Sequence, residues 1–138
     1  MIDVQLTYKI GFIGYRNHAK KLLDIFEQQQ NFEISYIYHP TKSLTHPHHT
    51  NKLDDLYKCD IVVIASPNTT HFNYIKQIIE NSNCKIFCEK PPVTSDEGIS
   101  YLQNLTVENK QRIFFNFNLR FSLFNNVLTN STKLDINF

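Results

Sequence analysis

Short apolar runs alternate along this chain with stretches of helical periodicity. Tyr8 to Ile13 is an apolar run that leads into Gly14. After the glycine, apolar side chains recur at the i, i+3, i+4, i+7 spacing of one helix face: Ala19, Leu22, Leu23 and Phe26. This pattern predicts a strand, a tight turn and an amphipathic helix that ends in the glutamine tract 28–30.

The same two kinds of block continue to the end of the apolar pattern. Further strands are predicted at Glu33 to Tyr38, Asp60 to Ser66, Lys85 to Glu89 and Arg112 to Phe117. Further helices are predicted at Thr69 to Asn81 and from Thr94, as a capping box with Glu97, to about Leu105. The polar, proline-broken stretch 41–50 predicts a loop, and 51–57 one or two helical turns.

The run DIVVIAS, from Asp60 to Ser66, is apolar on both faces without alternation. That is typical of a central strand in a parallel sheet covered by helices on both sides. Strands that alternate with helices predict an α/β fold of βαβ units, a doubly wound parallel sheet of Rossmann-like type. The expected core residues are Ile10, Phe12, Leu22, Phe26, Ile61, Val63, Ile64, Ile78, Ile86 and Phe114.

Composition narrows the class of protein. With 138 residues, 41% of them hydrophobic, the chain is long enough for one globular core. A net charge of +1 gives no electrostatic reason to expect nucleic acid or an anionic membrane as a partner. The start has no signal-peptide pattern and no run approaches the roughly 18 apolar residues of a membrane span. Three cysteines in no paired spacing predict reduced thiols and a cytoplasmic protein.

Ligands of such a sheet bind at the carboxyl ends of the strands, so the residues after each apolar run are the informative ones. The first such segment, Gly14 to Ala19, fits the dinucleotide pattern G-x-G-x-x-G/A in its first and third positions. Arg16 occupies the second position, where a glycine normally lets the backbone approach a pyrophosphate. By itself this is a weak signal.

Later segments strengthen it. One strand is followed by Ser66-Pro67-Asn68-Thr69-Thr70-His71 and the next by Glu89-Lys90-Pro91, about one helix apart, and the run Asn116 to Ser122 contains an arginine-phenylalanine pair. In this order and spacing the chain, from Lys9 to about Phe121, resembles the glucose-fructose oxidoreductase, inositol dehydrogenase and rhizopine-catabolism family (Gfo/Idh/MocA).

The resemblance implies an NAD(P)-dependent oxidoreductase that acts by hydride transfer on a sugar, cyclitol or related polyol, and a homo-oligomer. It implies a Rossmann dinucleotide-binding domain at 1–121, with 122–138 as the truncated start of a second, substrate domain or a disordered tail. We expect the chain alone to be inactive without that second domain, and to associate through its late apolar residues Phe121, Phe124, Val127 and Leu128.

The resemblance also implies roles for individual residues. Gly14, Tyr15 and Arg16 would hold the pyrophosphate at a helix N-terminus. Ser66, Pro67, Asn68 and His71 would line the nicotinamide-side ribose. Glu89 would stand near the nicotinamide, and Lys90 would be the catalytic residue that reaches the substrate hydroxyl, where an ammonium can orient or exchange the proton that accompanies hydride transfer.

The end of the second predicted strand bears on the choice of cofactor. The stretch Tyr38-His39-Pro40-Thr41-Lys42 contains no acid to accept from the ribose hydroxyls of NAD. A lysine and a hydroxyl suit a 2′-phosphate better, which favours NADP, with His39 and Lys42 as cofactor-binding residues. Together with Arg16, the missing acid is equally what a degenerate site would show, so a non-catalytic module, a nucleotide sensor or interaction unit, stays open as the alternative.

Two other constellations are set aside. His39, His46, His48 and His49 crowd one loop, but Pro47 splits them and no cysteine or carboxylate shares the spacing, so a solvated loop is favoured over a metal site. A phosphoacceptor receiver domain needs acidic residues after its first strand, and here Gly14, Tyr15 and Arg16 follow.

Overall fold

A computed structural model describes residues 6–116 of the chain as a six-stranded sheet flanked by helices. The strands are β1 (Tyr8–Ile13), β2 (Phe32–Tyr38), β3 (His49–Thr50), β4 (Ile61–Ile64), β5 (Lys85–Glu89) and β6 (Ile113–Asn116). The helices are α1 (Asn17–Glu27), α2 (His71–Asn81), α3 (Asp96–Asn104) and α4 (Val107–Gln111). Two 3₁₀ helices, Leu53–Lys58 and Asn68–Thr70, complete the order.

The sheet order is β3-β2-β1-β4-β5-β6, and every neighbouring pair is parallel. The predicted doubly wound parallel fold is thereby confirmed. The order runs outward in both directions from the β1–β4 pair, so this pair is the topological switch point, where a doubly wound sheet opens a crevice at the carboxyl ends of its strands.

The core has two layers because both faces of the sheet are covered. On β4, Val62 and Ile64 pack in one cluster and Val63 in the other, and all three are fully buried. This confirms β4 as a central strand. Most of the expected core residues are buried, whereas Leu22, Phe26 and Ile61 are only partly buried at the margin of one cluster.

Phe114 was expected in the core, and that prediction is wrong. It is 50% exposed, because β6 is the last strand in the sheet order and, within residues 6–116, pairs with β5 alone. Strand periodicity alone cannot distinguish such an edge strand from a central one.

Three local predictions also need correction. The N-cap of α3 is Ser95, whose hydroxyl accepts from the Gly98 amide at 3.1 Å, and not Thr94. The stretch 41–50 contains β3, a two-residue strand that pairs with the end of β2. After α3 a separate helix, α4, precedes the last strand, and Arg112, expected in that strand, instead ends α4 and donates to the carbonyls of Ser82 and Cys84.

Two further predictions concern the C-terminal residues and a membrane span. The arginine-phenylalanine pair, the boundary at 121 and the late apolar residues Phe121, Phe124, Val127 and Leu128 lie outside the described residues. Over residues 6–116, every helix is too short or too polar to cross a bilayer.

Candidate functional site

Gly14 forms the tight turn between β1 and α1, as the sequence predicts. Its φ is +109°, a conformation that residues with a side chain rarely adopt, and a Cβ there would lie 2.5 Å from the carbonyl oxygen of Ala65. The turn therefore needs glycine for two reasons, its backbone conformation and the close approach of the segment that follows β4.

Helix α1 begins directly after this turn with its N-terminus open. The N-cap residue, Arg16, has extended backbone and makes no side-chain capping bond, and the first turn contains no acidic residue. The first amides of a helix lack partners within the helix and carry the positive end of its dipole. This end of α1 is therefore suited to a phosphate group.

The turn that follows β2, residues 38–42 and called the β2 turn below, is organised by one histidine. His39 Nδ1 accepts from the backbone amides of Thr41 at 3.3 Å and Lys42 at 2.9 Å. Partial burial, and then the charges of Lys42, His49 and Arg16, lower the pKa of His39 below its ordinary value of 6.5. His39 is thus favoured in its neutral form, as an acceptor that shapes the turn.

The Gly14 turn, the β2 turn and the segment after β4 enclose one cleft of about 440 Å³. Seven of the predicted site residues line it: Gly14, Tyr15, Arg16, His39, Lys42, Ser66 and Pro67. Within the described residues, no aspartate or glutamate lines this cleft. Its ionisable lining is therefore cationic or neutral, as binding of an anion requires.

Several residues that were not predicted as site residues also line the cleft, although Tyr38, Pro40 and Thr70 lie in the strand-end stretches that the sequence singled out. Tyr38 and Tyr74 meet edge to face with ring centroids 5.9 Å apart, and burial raises the pKa of Tyr74. Tyr38 is the last residue of β2 and Tyr74 lies in the first turn of α2. Both would be found by including, with the residues after each strand, the last residue of the strand and the first turn of the helix that follows. The other additions are Ile13, Pro40, Leu44, Ala65 and Thr70.

Thr70 sets the hydrogen-bonding state of Ser66. Its hydroxyl donates to the Pro67 carbonyl at 2.6 Å and also lies 2.7 Å from the Ser66 hydroxyl. Because the Thr70 proton is engaged, Ser66 donates to Thr70 and keeps its own oxygen as an acceptor facing the cleft.

His71 does not line the cleft. It is fully buried at the start of α2, with Nε2 2.8 Å from the Ser66 carbonyl oxygen and Nδ1 2.7 Å from that of Pro91. The predicted contact with a ribose stays a prediction; in this placement both ring nitrogens lie within hydrogen-bond distance of backbone carbonyl oxygens, and a neutral imidazole can donate to one of them.

Glu89 is also buried, and it joins three elements through one oxygen. Its Oε1 accepts a hydrogen bond from the side-chain amide of Asn116 (Nδ2) at 2.6 Å and lies 3.1 Å from Nε2 of His18. His18 is the second residue of α1 and Asn116 the last of β6; both lie in segments that the sequence singled out, but their contact with Glu89 was not predicted. Ser66, His71, Glu89, Pro91 and Asn116 are called the strand-end network below.

Lys90 and Asn68 are exposed and lie outside the lining of the cleft. Lys90 directly follows β5, between Glu89 and Pro91, and its bond to Pro91 is cis. Its placement beyond the strand end leaves the ammonium open to a bound molecule.

The histidine loop packs mainly on itself and on aromatic neighbours. The His46 ring lies 5.6 Å from that of His48 and 6.0 Å from that of Tyr15. Over residues 6–116, no group of three or more histidine, cysteine or acidic side chains is placed to hold a metal ion.

The fold and the cleft identify the class of protein first, and a family model then identifies the family. A parallel sheet of this order, a glycine turn at its switch point and an open helix N-terminus above it make up a Rossmann fold of the dinucleotide-binding kind. A family model described as "Oxidoreductase family, NAD-binding Rossmann fold" (GFO_IDH_MocA) matches residues 8–117. The chain belongs to this family, as the sequence motifs indicated.

Solved structures agree on the fold. Scyllo-inositol dehydrogenase from Lactobacillus casei superposes with a TM-score of 0.70 at 22% identity, over 86% of this chain and 39% of that one. The same enzyme "with bound cofactor NAD(H) and scyllo-inositol" gives 0.69 at 22% identity, over 88% and 39%. A putative myo-inositol dehydrogenase from Sinorhizobium meliloti 1021 gives 0.69 at 20% identity, over 85% and 38%.

This chain thus spans less than two fifths of the length of these structures. A comparison with curated proteins gave no significant match.

Proposed function

We propose that this chain is the dinucleotide-binding part of an NAD(P)-dependent oxidoreductase that acts on a sugar, cyclitol or related polyol. The cleft between the Gly14 turn, the β2 turn and Ser66 carries the proposal, because it joins an open helix N-terminus to a cationic lining. The cofactor's adenosine end would lie at the β2 turn and its nicotinamide end towards Lys90. We assign 1–121 to this domain and 122–138 to the start of a second one.

NADP is the cofactor that the β2 turn suits best. A carboxylate at this position accepts from the ribose hydroxyls of NAD, and would repel a 2′-phosphate. Here the cleft has no carboxylate among its described lining residues, and Arg16 and Lys42 both border it. A guanidinium and an ammonium bind phosphate by charge-assisted hydrogen bonds, which are the stronger kind.

Different residues of this chain would bind the cofactor and exchange the proton of the substrate. The open amides at the start of α1 would bind the pyrophosphate, with Arg16 compensating for the missing second glycine. Ser66 would accept from a ribose hydroxyl. The bound nicotinamide supplies the hydride acceptor or donor, and Lys90 would hold or exchange the proton of the substrate hydroxyl at its Nζ.

The polyol substrate is supported by likeness, and catalysis needs more than this domain. One neighbour of this fold is named for scyllo-inositol dehydrogenase and was solved with NAD(H) and scyllo-inositol. Positioning a C–H bond against a nicotinamide requires groups on both sides of the substrate. We therefore expect no turnover from residues 1–138 alone. We also propose that the working form is a cytoplasmic homo-oligomer. The buried, unpaired thiols Cys59, Cys84 and Cys88 suit a reducing compartment.

Calorimetric titration with NADPH, NADP, NADH and NAD tests the proposal. We expect NADPH to bind about tenfold or more tightly than NADH, and Lys42→Met to remove about 1.5–3 kcal/mol of NADPH binding, the strength of a charged hydrogen bond, without changing NADH. Lys85→Met, at the opposite end of the sheet, is the matched control and should change neither. Failure of all four to bind below about 1 mM, or about 4 kcal/mol, contradicts the proposal.

Arg16 also supports a second candidate function, a non-catalytic Rossmann-like module. Its side chain stands where close backbone approach to a pyrophosphate normally needs glycine. Under this alternative the titration shows no dinucleotide binding, and Arg16→Gly restores none. Under the preferred function Arg16→Gly retains the binding of both NADH and NADPH, because a glycine at this position lets the backbone approach the pyrophosphate that both cofactors carry.

A further inference from the structure

Two turns at the nicotinamide end of the proposed site are joined by a single buried side chain. His71 has no exposed surface, and its two ring nitrogens lie 2.7 and 2.8 Å from the carbonyl oxygens of Pro91 and Ser66. Ser66 starts the turn after β4, and Pro91 follows Lys90 after β5. Both neighbouring atoms are backbone oxygens, so the imidazole bridges the backbones of the two turns, with one hydrogen bond when it is neutral and two when it is protonated.

The imidazole is itself held by the core. His71 is the first residue of α2, and Ile75 and Ile78 on the same helix are fully buried against the sheet. A side chain anchored in this way transmits the position of α2 to both turns. A neutral imidazole can donate to one of the two carbonyls and an imidazolium to both. Removing the ring leaves both carbonyls without this partner.

Lys90 is anchored on its other side as well. Glu89 precedes it and accepts from Asn116 at 2.6 Å, with His18 3.1 Å away. The Lys90 side chain is exposed and makes no hydrogen bond or ion pair within residues 6–116. The residue therefore has a backbone held on both sides and a side chain left open.

We infer that His71 is a positioning residue, which holds the backbone at Lys90 against the turn of Ser66 so that the nicotinamide end of the site keeps one geometry. The inference rests on the proposed function. It does not extend to the adenosine end, because the β2 turn is organised by its own bonds from Thr41 and Lys42 to His39. That separation of the two ends makes the inference testable.

The test compares two probes on the 138-residue chain. NADPH occupies both ends of the site, and 2′,5′-ADP has the adenosine end without the nicotinamide. For His71→Asn and His71→Gln, we expect the dissociation constant of NADPH to rise about tenfold, as for one lost contact, and that of 2′,5′-ADP to change less than about twofold. Gln, with the longer reach, should restore more NADPH binding than Asn.

Ile79→Ala is the matched control for lost stability. Ile79 is buried in α2, away from both turns, so its truncation destabilises the core without touching them. We expect unchanged affinity for both probes. A merely structural role of His71 predicts the opposite pattern, with equal losses for both probes in the His71 variants; that result, or no loss for either, overturns the inference and leaves the proposed function intact.

A measurement on the unmodified chain covers the case in which neither variant folds. In ¹H–¹⁵N spectra of the ring, the His71 signals should shift on addition of NADPH and stay in place with 2′,5′-ADP. Signals that ignore NADPH, or that respond equally to both probes, contradict the inference. If the unmodified chain binds neither probe, the proposed function and the inference both fail.

Discussion

The cleft has the β2 turn on one side and Ser66, the member of the strand-end network that lines it, on the other, and these two sides are built by different kinds of bond. The β2 turn is local, since His39 accepts from amides two and three residues further along the chain. The strand-end network is long-range, since His71 reaches Pro91 over 20 residues and Asn116 reaches Glu89 over 27. The first side is partly exposed, whereas His71 and Glu89 are buried.

We infer from this difference that the β2 turn determines the preference for one cofactor, whereas the strand-end network contributes to the stability of the domain. A local, partly exposed turn can change its side chains, and with them its preference for a phosphate or a hydroxyl, at little cost to the fold. A buried network that joins separate strands is part of the cooperative unit, and cutting it weakens the whole domain. We therefore expect substitutions on the two sides to differ in the extent of structure they affect.

The largest effect is expected where the two sides meet, at Gly14→Ala. The new Cβ would lie 2.5 Å from the Ala65 carbonyl oxygen, at a φ of +109°. Strain and overpacking together should lower the free energy of unfolding by roughly 2–4 kcal/mol, measured by urea denaturation. Gly11→Ala is the comparison, because its Cβ would meet Cγ of the buried Leu56 at 2.9 Å but its φ is not positive, so this variant adds overpacking without backbone strain. Equal losses for both variants would contradict this reading of Gly14.

The next effect is expected in the strand-end network, at Glu89→Ala. The change removes the acceptor for Asn116 and His18 at a buried position, so the free energy of unfolding should fall by about 1–3 kcal/mol. Glu89→Gln keeps an amide oxygen at the same place and should lose less than about 1 kcal/mol in the same thermal or urea assay. A Glu89→Ala domain as stable as the original would show that the network is not part of the cooperative unit.

A smaller, confined effect is expected from His39→Ala on the other side of the cleft. Global stability should change by less than about 0.5 kcal/mol, as for other surface substitutions. Hydrogen exchange at the Thr41 and Lys42 amides should accelerate about fivefold, because local opening no longer breaks their bond to the imidazole. Global destabilisation as large as that of Glu89→Ala would abolish the distinction between the two sides.

The smallest effect concerns the pKa of His39. Burial lowers it first and the Lys42 charge second, so Lys42→Met should raise the pKa towards 6.5, as followed by NMR titration of the ring. Since the folded-state pKa lies below the unfolded one, the stabilisation from neutral His39 is complete above pH 6.5 and is lost as the pH falls through the folded-state pKa. In Lys42→Met the loss should begin at the same pH but be complete at a higher pH, and it should be smaller, because the folded-state pKa lies closer to the unfolded one. Lys52→Met, whose charge is not among those acting on His39, should leave the titration unchanged.

Much of the fold and part of the site followed from the sequence, for a common physical reason. The apolar residues of β4 do not alternate with polar ones, so both faces of the strand have to be covered. Because ligands of such a sheet bind at the carboxyl ends of its strands, the residues after the strands were expected at one site, and one cleft contains Gly14, Arg16, His39, Lys42 and Ser66. The rule failed for Phe114, because whether a strand lies at the edge depends on its neighbours in space.

By itself the sequence determined the parallel α/β fold, the family and the edge of the sheet that carries the candidate cleft, because these depend on patterns within one segment or between successive strands. Only the tertiary structure decided what His71 and Glu89 contact. Both belong to motifs that pointed to the cofactor, yet each has a partner 20 or more residues away, the Pro91 carbonyl for His71 and the Asn116 side chain for Glu89. A buried polar side chain must find a partner wherever the fold brings one, and no spacing along the chain specifies which atom that will be.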